Sequence, residues 1–262
     1  MAQQFDASVP SPARIWNYWV GGKDNFEADR AAADAVREVV PYVAVVARMT
    51  RQFLIRTVTM LARDYGVRQF IDIGSGLPTA YNTHEVAQAA APQARIVYVD
   101  NDPQVILHAR SLLHSTAEGG VDYLLADLRD TGTILSQAAR TLDLSRPVAV
   151  LLVQVLHFLP DSDDPYAAVR RLMEPLVPGS YLVLVHGASD IQSEVSSQTS
   201  ERYNTRSLIQ LRLRGRDEVA RFFDGLEPIG PGLVAGTEWL TSGESRHEAK
   251  ISFGYNGVAR KP

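Results

Sequence analysis

Short apolar runs alternate with amphipathic segments through the central part of the chain. The runs predict buried strands at 70–73, 96–99, 123–126, 148–153 and 181–185. Between them, apolar residues recur at helical spacing, which predicts helices near 83–91, 103–114, 131–142 and 165–176. Strands that alternate with helices favour a parallel sheet covered on both faces, and right-handed crossovers make such a sheet doubly wound. The predicted fold class is therefore α/β.

The sequence before this alternating region has a different pattern of polar and apolar residues. Residues 1–12 are polar and contain two prolines, which is typical of a mobile arm. The alanine-rich stretch 27–40 and the longer stretch 43–65 both have the periodicity of helices. The part of the chain before residue 67 is thus predicted to be mainly helical.

The pattern of polar and apolar residues changes again in the last third of the chain. A helix is predicted near 216–223, followed by two extended segments at 233–240 and 249–259. The short polar link between these segments indicates an antiparallel hairpin that closes one edge of the sheet. The sequence contains no internal repeat and no long linker, so residues 67–262 are expected to form a single structural unit.

Composition and charge narrow the range of functions. The 262 residues carry a net charge of -4 and no cysteine, which excludes disulfides, thiolate nucleophiles and cysteine-ligated metals. No apolar stretch approaches the roughly 20 residues that span a bilayer, and the N-terminus lacks a signal-peptide pattern. The basic run at 211–216 is interpreted as a solvated surface. We expect a soluble cytoplasmic protein with no metal site and no nucleic-acid or membrane partner, and we leave its oligomeric state open.

A glycine loop follows the first predicted strand. That strand ends near Asp72, and Gly74, Ser75 and Gly76 come next. Ligands of open parallel sheets bind beyond the carboxyl ends of the strands, where glycines let the backbone approach a ligand closely. An isolated Gly-x-Gly is equally typical of a tight turn between a strand and a helix. A dinucleotide fingerprint would need a third glycine where the chain has Thr79, and no P-loop lysine is present.

Aspartates at three successive strand ends identify the ligand more closely. Asp100 ends the second strand about 20 residues beyond the glycines, the spacing of an acid that binds ribose hydroxyls. Asp127 follows the third strand, where its carboxylate would accept from an adenine amino group while the Leu128 amide faces a ring nitrogen. Each aspartate alone is equally typical of a helix N-cap or a turn. Asp72 would repel a diphosphate but suits an ammonium and a sulfonium, so the pattern favours S-adenosylmethionine over NAD.

Longer passages resemble the class I S-adenosylmethionine-dependent methyltransferases. More narrowly, they resemble the bacterial S-adenosyl methyltransferase family formerly catalogued as a domain of unknown function. The resemblance runs from about residue 12 to residue 262, and the passages that carry it include "ARIWNYWVGGKDNFEADRAAA", "DIGSGLPTAYNTHEVAQ", "VYVDNDPQVILHAR" and "LLVQVLHFLPDSDDP". It implies a Rossmann-like fold with an N-terminal helical cap, and it leaves the methyl acceptor open. Residues 1–66 are then the arm and cap, and 67–262 are the methyltransferase domain.

Two segments depart from a plain strand-loop-helix design. "LPTAY" separates the last glycine from a capping-box-like helix start at Asn82 and Glu85, and the resulting loop is predicted to wrap the methionine end of the cofactor, with Thr79 in contact. Methyl transfer needs in-line positioning and exclusion of water. The segment "RIWNYWVGGKDNF" is therefore predicted to be a lid, with Gly21-Gly22 as its hinge and with Arg14 or Lys23 meeting the cofactor carboxylate. The alternative is an aromatic helix that packs on the sheet, with Asn25 capping the next helix.

The acceptor side offers two histidines. His157 and His186 follow or end predicted strands, and either would serve as a general base near neutral pH, or equally as a structural histidine. The polar insert 189–208, with Tyr203, is a candidate cover for the acceptor. The predicted function is methyl transfer to an unidentified small-molecule acceptor by O- or N-methylation; the alternatives are a non-catalytic S-adenosylmethionine-binding regulator and, less favoured, an NAD-dependent oxidoreductase. The predicted cofactor-binding residues are Asp72, Gly74, Ser75, Gly76, Thr79, Asp100, Asn101, Asp127, Leu128, Gln154, Arg14, Tyr18 and Asn25.

Overall fold

One mixed sheet organises the computed structural model, which describes residues 6–239 and 252–262. The described strands are β1 (Gln69–Ile73), β2 (Arg95–Asp100), β3 (Gly120–Leu125), β4 (Ala149–Val153), β5 (Tyr181–Gly187), β6 (Glu227–Pro228), β7 (Val234–Ala235) and β8 (Gly254–Arg260). The described helices are α1 (Pro12–Trp19), α2 (Glu27–Val39), α3 (Val43–Arg63), α4 (Thr83–Ala90), α5 (Pro103–Leu112), α6 (Thr131–Ala138), α7 (Pro165–Met173), α8 (Ser193–Asn204) and α9 (Arg216–Ala220).

The strand order of the sheet is β3-β2-β1-β4-β5-β8-β6, with β7 paired to β8. Strands β1 to β5 are parallel to one another, and β8 is antiparallel to β5. Because β2 and β4 flank β1, the strand order reverses at β1. The carboxyl end of β1, where the glycine loop lies, is therefore the position at which open α/β sheets bind ligands.

The two faces of the sheet bury separate layers of apolar side chains. On β1, Ile71 and Ile73 pack with residues of α6 and α7, whereas Phe70 packs with residues of α3, α4 and α5 on the opposite face. This alternation follows from the two-residue period of a strand. Helix α3 is thus a covering helix of the sheet, and the division of the chain at residue 66 stays a prediction.

A third apolar cluster joins the N-terminal helices to α8. Ile15 of α1 and Val36 of α2 are buried in one cluster with Tyr203 of α8. Helix α8 lies inside the predicted polar insert 189–208, but the sequence analysis did not predict it. Its sequence, SEVSSQTSERYN, has too few apolar residues to show a helical period. The N-terminal cap is therefore completed by a helix from the other end of the chain.

The predicted antiparallel edge is confirmed, with different bounds. In the first predicted segment, Val234–Ala235 pairs with β8 and a turn of 3-10 helix follows at Gly236–Trp239. The short strand β6 also pairs with β8, and the sequence analysis did not predict it. The polar link and the start of the second segment lie outside the described residues.

Polar side chains set the starts of the helices that follow the strands. The predicted capping interaction at α4 is present, because the Glu85 carboxylate accepts from the Asn82 backbone N–H at 2.7 Å. Asp102 accepts from the N–H of Gln104 at 2.9 Å at the start of α5. These caps satisfy backbone donors that a helix leaves unpaired at its first turn.

Within residues 6–239 and 252–262, no helix is both long enough and apolar enough to cross a membrane. The cytoplasmic location stays a prediction.

Candidate functional site

The two loop glycines are required for different reasons. Both have positive φ, 71° at Gly74 and 68° at Gly76, which favours glycine. A Cβ on Gly74 would lie 2.5 Å from the Val155 Cγ2 atom, whereas a Cβ on Gly76 would meet no atom within 4 Å. Gly74 is therefore needed for packing against the loop after β4, and its contact with a cofactor stays a prediction. Gly76 borders open space, and Ser75 between them donates its N–H to the Val99 carbonyl at 3.3 Å.

Asp100 connects the glycine loop to the end of β2. Its Oδ2 accepts from the Gly76 N–H at 2.9 Å, and its Oδ1 accepts from the Asp102 N–H at 3.0 Å. The side chain is buried, and this burial raises its pKa to about 6 despite the backbone hydrogen bonds that lower it. A carboxylate has about four acceptor positions, so Asp100 retains capacity for further donors such as ligand hydroxyls.

Asp127 is paired with an arginine that the sequence analysis missed. Arg129 donates to both of its carboxylate oxygens, from Nε at 2.8 Å and from Nη2 at 2.6 Å. These bonds are the main reason why the pKa of Asp127 is lowered. Asn101 Nδ2 lies 3.5 Å from Asp127 Oδ2, so the predicted neighbours are together. The Leu128 side chain is buried in the core, which leaves its backbone amide as the group that could face a ligand.

Asp72 lies under the loop beside a second arginine that the sequence analysis missed. Thr83 Oγ1 donates to the buried Asp72 carboxylate at 2.6 Å. Burial raises the pKa of Asp72, while the Thr83 hydrogen bond and the positive charge of Arg51 lower it. Arg51 of α3 donates from Nη2 to the carbonyls of Ala80 at 3.1 Å and Tyr81 at 2.7 Å. No local signal separates Arg51 from the other arginines of its helix.

The extended loop after Gly76 has an unusual residue at its tip. Tyr81 has a φ of 62° and a 67% exposed side chain. A bulky residue is rare in this left-handed region, and such strain is concentrated at functional sites. Thr79 donates its N–H to Asn82 Oδ1 at 3.1 Å, which braces the loop against the start of α4.

Arg14 joins the cap to the start of α5. Its Nε donates to Asp29 Oδ2 at 2.8 Å, and its Nη1 donates to Gln104 Oε1 at 3.0 Å and lies 3.7 Å from Asp102 Oδ2. The residue is 4% exposed, and its contact with a cofactor carboxylate stays a prediction. The cap is also tied to the site, because Ser11 Oγ donates at 2.8 Å to Asp102, two residues beyond Asp100.

The Gly-Gly-Lys-Asp-Asn segment forms a turn closed by Asn17, another residue that was missed. Asn17 Oδ1 accepts from the Asp24 N–H at 3.1 Å and from Asn25 Nδ2 at 3.0 Å. A Cβ on Gly22 would lie 2.3 Å from Asn17 Nδ2. Gly22 thus has a packing reason and Gly21 has a positive φ of 86°, and movement of the segment as a lid stays a prediction. Asn25 does not cap α2, since Asp29 accepts from the Phe26 N–H.

Tyr18 and Trp19 pack on the cap instead of the sheet. Trp19 Nε1 donates to the Ala33 carbonyl at 3.3 Å. The Arg37 guanidinium lies 5.8 Å from the centre of the Tyr18 ring. Both aromatic residues therefore attach α1 to α2. The alternative predicted an aromatic helix that packs on the sheet, and the aromatic side chains pack on α2 instead.

His186 is not placed to act as an acceptor-side base. Its side chain is completely buried, and Arg214 Nη1 lies 3.1 Å from its Nε2. Since a guanidinium only donates, Nε2 must be the acceptor nitrogen, and Nδ1–H donates to the Gly187 carbonyl at 2.8 Å. Burial lowers the pKa of His186 to about 3, with the nearby Arg214 charge contributing. His186 is a neutral structural histidine.

We expect the His186 imidazole to stay in the neutral Nδ1–H form from about pH 8 to about pH 4.5, because its pKa is lowered to about 3. Two-dimensional 15N NMR of the ring nitrogens measures both the tautomer and the titration. Assignment would come from the spectrum of His186→Gln. A midpoint near the ordinary histidine value would contradict this role.

His157, unlike His186, has a ring nitrogen without a hydrogen-bond partner in the described part of the chain. Its Nδ1 is buried without a hydrogen-bond partner among the described residues, and its ring lies 5.6 Å from that of His186. Burial and the nearby His186 and Arg214 lower its pKa well below the ordinary value. Gln154, at the end of β4, has a φ of 58° and donates its N–H to the Val185 carbonyl at 2.9 Å. Both residues follow β4 at the carboxyl edge of the sheet, and Val155 between them packs against Gly74 of the glycine loop.

A cleft of about 720 Å³ lies at the opposite edge of the sheet. Its lining includes Arg68, Arg95, Arg140 and Arg146. Arg68 donates to the carbonyl of Val67 at 3.0 Å, and Arg95 Nη1 lies 3.4 Å from the Thr141 carbonyl, so arginines here bind backbone acceptors near helix ends. In the described part of the chain, no group of three or more acidic or histidine side chains is arranged to hold a metal ion.

The sequence model of the S-adenosyl methyltransferase family matches residues 1–262. A DUF574 family protein from Streptomyces avermitilis MA-4680 is 40% identical, covers 99% of this chain and 100% of its own, and superposes with a TM-score of 0.94. A proposed methyltransferase from Thermobifida fusca YX is 37% identical over 98% of this chain and 96% of its own, with a TM-score of 0.89.

More distant similarity concerns the fold alone. The plantazolicin methyltransferase BpumL, crystallised with S-adenosylhomocysteine, is 12% identical over 95% of both chains, with a TM-score of 0.51. No curated protein matches the chain.

Proposed function

Because the chain belongs to the S-adenosyl methyltransferase family and is thus an enzyme that uses S-adenosylmethionine, we propose that it transfers the methyl group to a small molecule, on oxygen or nitrogen. This membership favours methyl transfer over the alternatives of a non-catalytic regulator and an NAD-dependent oxidoreductase. The observation that carries the proposal is the cap that closes over the carboxyl edge of the sheet. Ser11 bonds to Asp102 beside Asp100, and α1 and α2 pack against α8.

The aromatic side chains packed over the acceptor side favour a small acceptor. Phe158, next to His157, packs against the N-terminal cluster, and its ring lies 5.9 Å from that of Tyr203 in α8. A polymeric acceptor would need an open groove at this edge. Aromatic walls with a few polar groups are typical of pockets for small organic molecules.

The residues present fit the cofactor. Asp100 would accept from the ribose hydroxyls, Asp127 with Arg129 would border the adenine, and the open space at Gly76 would admit the ligand against the backbone. Asp72 would accept from the ammonium group. Hydrogen bonds to charged partners contribute about 1.5 to 3 kcal/mol each, enough for these acids to orient the ligand.

The cofactor, when bound, supplies an electrophilic methyl group on a sulfonium. The protein holds the acceptor in line with that methyl group and excludes water, a contribution of about 7 to 11 kcal/mol where positioning is good. His157 is neutral at pH 7 because its pKa is lowered, so its imidazole is in the form that accepts a proton. The same shift makes it a weak base. It therefore suits only an acceptor that is itself acidic, such as a protonated aromatic amine.

The test is transfer of a radiolabelled methyl group from S-adenosylmethionine into a cell extract of the producing organism, separated by ultrafiltration. We expect label in the small-molecule fraction, and its loss with Asp100→Ala, because that variant loses the proposed ribose contact. Asp143→Ala, at the opposite edge of the sheet, is the matched control and should label normally. Label confined to the macromolecular fraction would refute a small-molecule acceptor.

A further inference from the structure

Arg51 extends from the cap side of the fold into the loop beside the proposed cofactor site. Its Nη2 bonds the carbonyls of Ala80 and Tyr81, and these two bonds hold the guanidinium at the tip of the extended loop. Its Nε is buried and has no hydrogen-bond partner among the described residues. A buried donor without a partner is unfavourable, and more so when the group is charged. The guanidinium therefore has a buried donor that is available to a ligand.

The same loop leads to a carboxylate with which Arg51 forms no ion pair in the described part of the chain. Thr83, two residues beyond Tyr81, donates to Asp72 at 2.6 Å, and the positive charge of Arg51 lowers the pKa of Asp72. A cation and an anion thus border this loop, each with binding capacity left. An α-amino acid zwitterion carries the complementary charges, an ammonium for Asp72 and a carboxylate for Arg51.

We propose that Arg51 is the specificity-determining residue that recognises the carboxylate of the cofactor's methionine moiety, opposite Asp72. The inference rests on the proposed cofactor site and replaces Arg14 and Lys23 in this role. A guanidinium suits it because its Nε–H can donate to a carboxylate while Nη2 still holds the loop carbonyls. Arg51 would thereby contact both the loop that carries Tyr81 and the amino-acid part of the bound ligand.

The experiment compares two ligands by isothermal titration calorimetry. S-adenosylhomocysteine carries the whole amino-acid group, and its decarboxylated analogue, S-adenosyl-3-thiopropylamine, keeps the amine but lacks the carboxylate. The wild-type protein should bind the first at least about tenfold more tightly, because a charge-assisted bond is lost with the second. Arg51→Gln should weaken the first ligand by at least about tenfold and the second by less than about twofold.

Controls separate recognition from loop support and from folding. Arg48→Gln changes an exposed arginine of the same helix and should bind both ligands as the wild type does. Arg51→Met keeps the aliphatic packing and replaces Arg51→Gln if circular dichroism shows that the latter is unfolded. Equal weakening of both ligands would reduce Arg51 to loop support, and equal wild-type affinities would also overturn the inference. A wild-type protein that binds neither ligand would instead refute the proposed site.

Discussion

Asp100→Ala is expected to weaken the binding of S-adenosylhomocysteine by at least about tenfold, because at least one hydrogen bond to a charged acceptor is lost. The effect should be large because Asp100 also holds the glycine loop through the Gly76 N–H at 2.9 Å. The substitution therefore removes both the ribose acceptor and the brace of the loop. Calorimetry with the purified variant measures the loss.

The pH dependence of this binding gives a second readout of Asp100. Its pKa in the folded protein is raised from 3.8 to about 6, so the folded state keeps a proton that the unfolded chain has released. The stability that this proton contributes is present below pH 3.8 and is lost as the pH rises through about 6. Ligand hydroxyls need the ionised form, so wild-type affinity should fall about tenfold between about pH 7.5 and about pH 5.

Two controls make the Asp100 result specific. Asp143→Ala removes an aspartate at the opposite edge of the sheet and should bind as the wild type does. Asp100→Asn keeps the shape without the charge and should bind weakly at every pH. Unchanged affinity in Asp100→Ala would refute the ribose role.

Arg214→Ala is expected to lower the free energy of unfolding by about 3 to 5 kcal/mol, the range for truncating a large buried side chain to alanine. The guanidinium has no exposed surface and donates to the carbonyls of Leu156 at 3.1 Å and Leu159 at 2.9 Å, and to Asp161 at 2.7 Å. Its removal leaves buried carbonyls without donors and opens a cavity. Urea unfolding followed by circular dichroism measures the change.

Arg212 provides the matched control for Arg214. The two residues lie in the same basic run, but the Arg212 side chain is 40% exposed and pairs with Asp161 and Glu218 at the surface. Arg212→Ala should therefore change the free energy of unfolding by about 1 kcal/mol or less. If both variants lost the same free energy of unfolding, burial would not be the reason why Arg214 stabilises the protein.

The sheet and its ligand-binding edge could be predicted from sequence because they follow from local patterns. Apolar runs mark strands, their alternation with helices requires parallel pairing, and parallel strands bring their carboxyl ends to one edge. Asp72, Asp100 and Asp127 could therefore be assigned to one site from their positions at the ends of these strands. The polar helix α8 could not be predicted, because what makes it helical is its packing on α1 and α2.

The basic run 211–216 shows how the same pattern can conceal two environments. It was predicted to be a solvated surface, which is wrong for Arg214, one of the most deeply buried side chains of the described chain. Its carbonyl partners lie more than 50 residues earlier in sequence. No local window contains both the donor and its acceptors.

By itself, the sequence determined the fold class, the cofactor, the family and the acids at the strand ends, because each depends on spacing along the chain. Only the tertiary structure decided what each arginine does. Arg14 joins the cap to α5, Arg51 bonds the loop after Gly76, Arg129 binds Asp127, and Arg214 is buried against His186. A guanidinium looks the same in every sequence context, and its role depends on burial and on partners that the fold brings from distant segments.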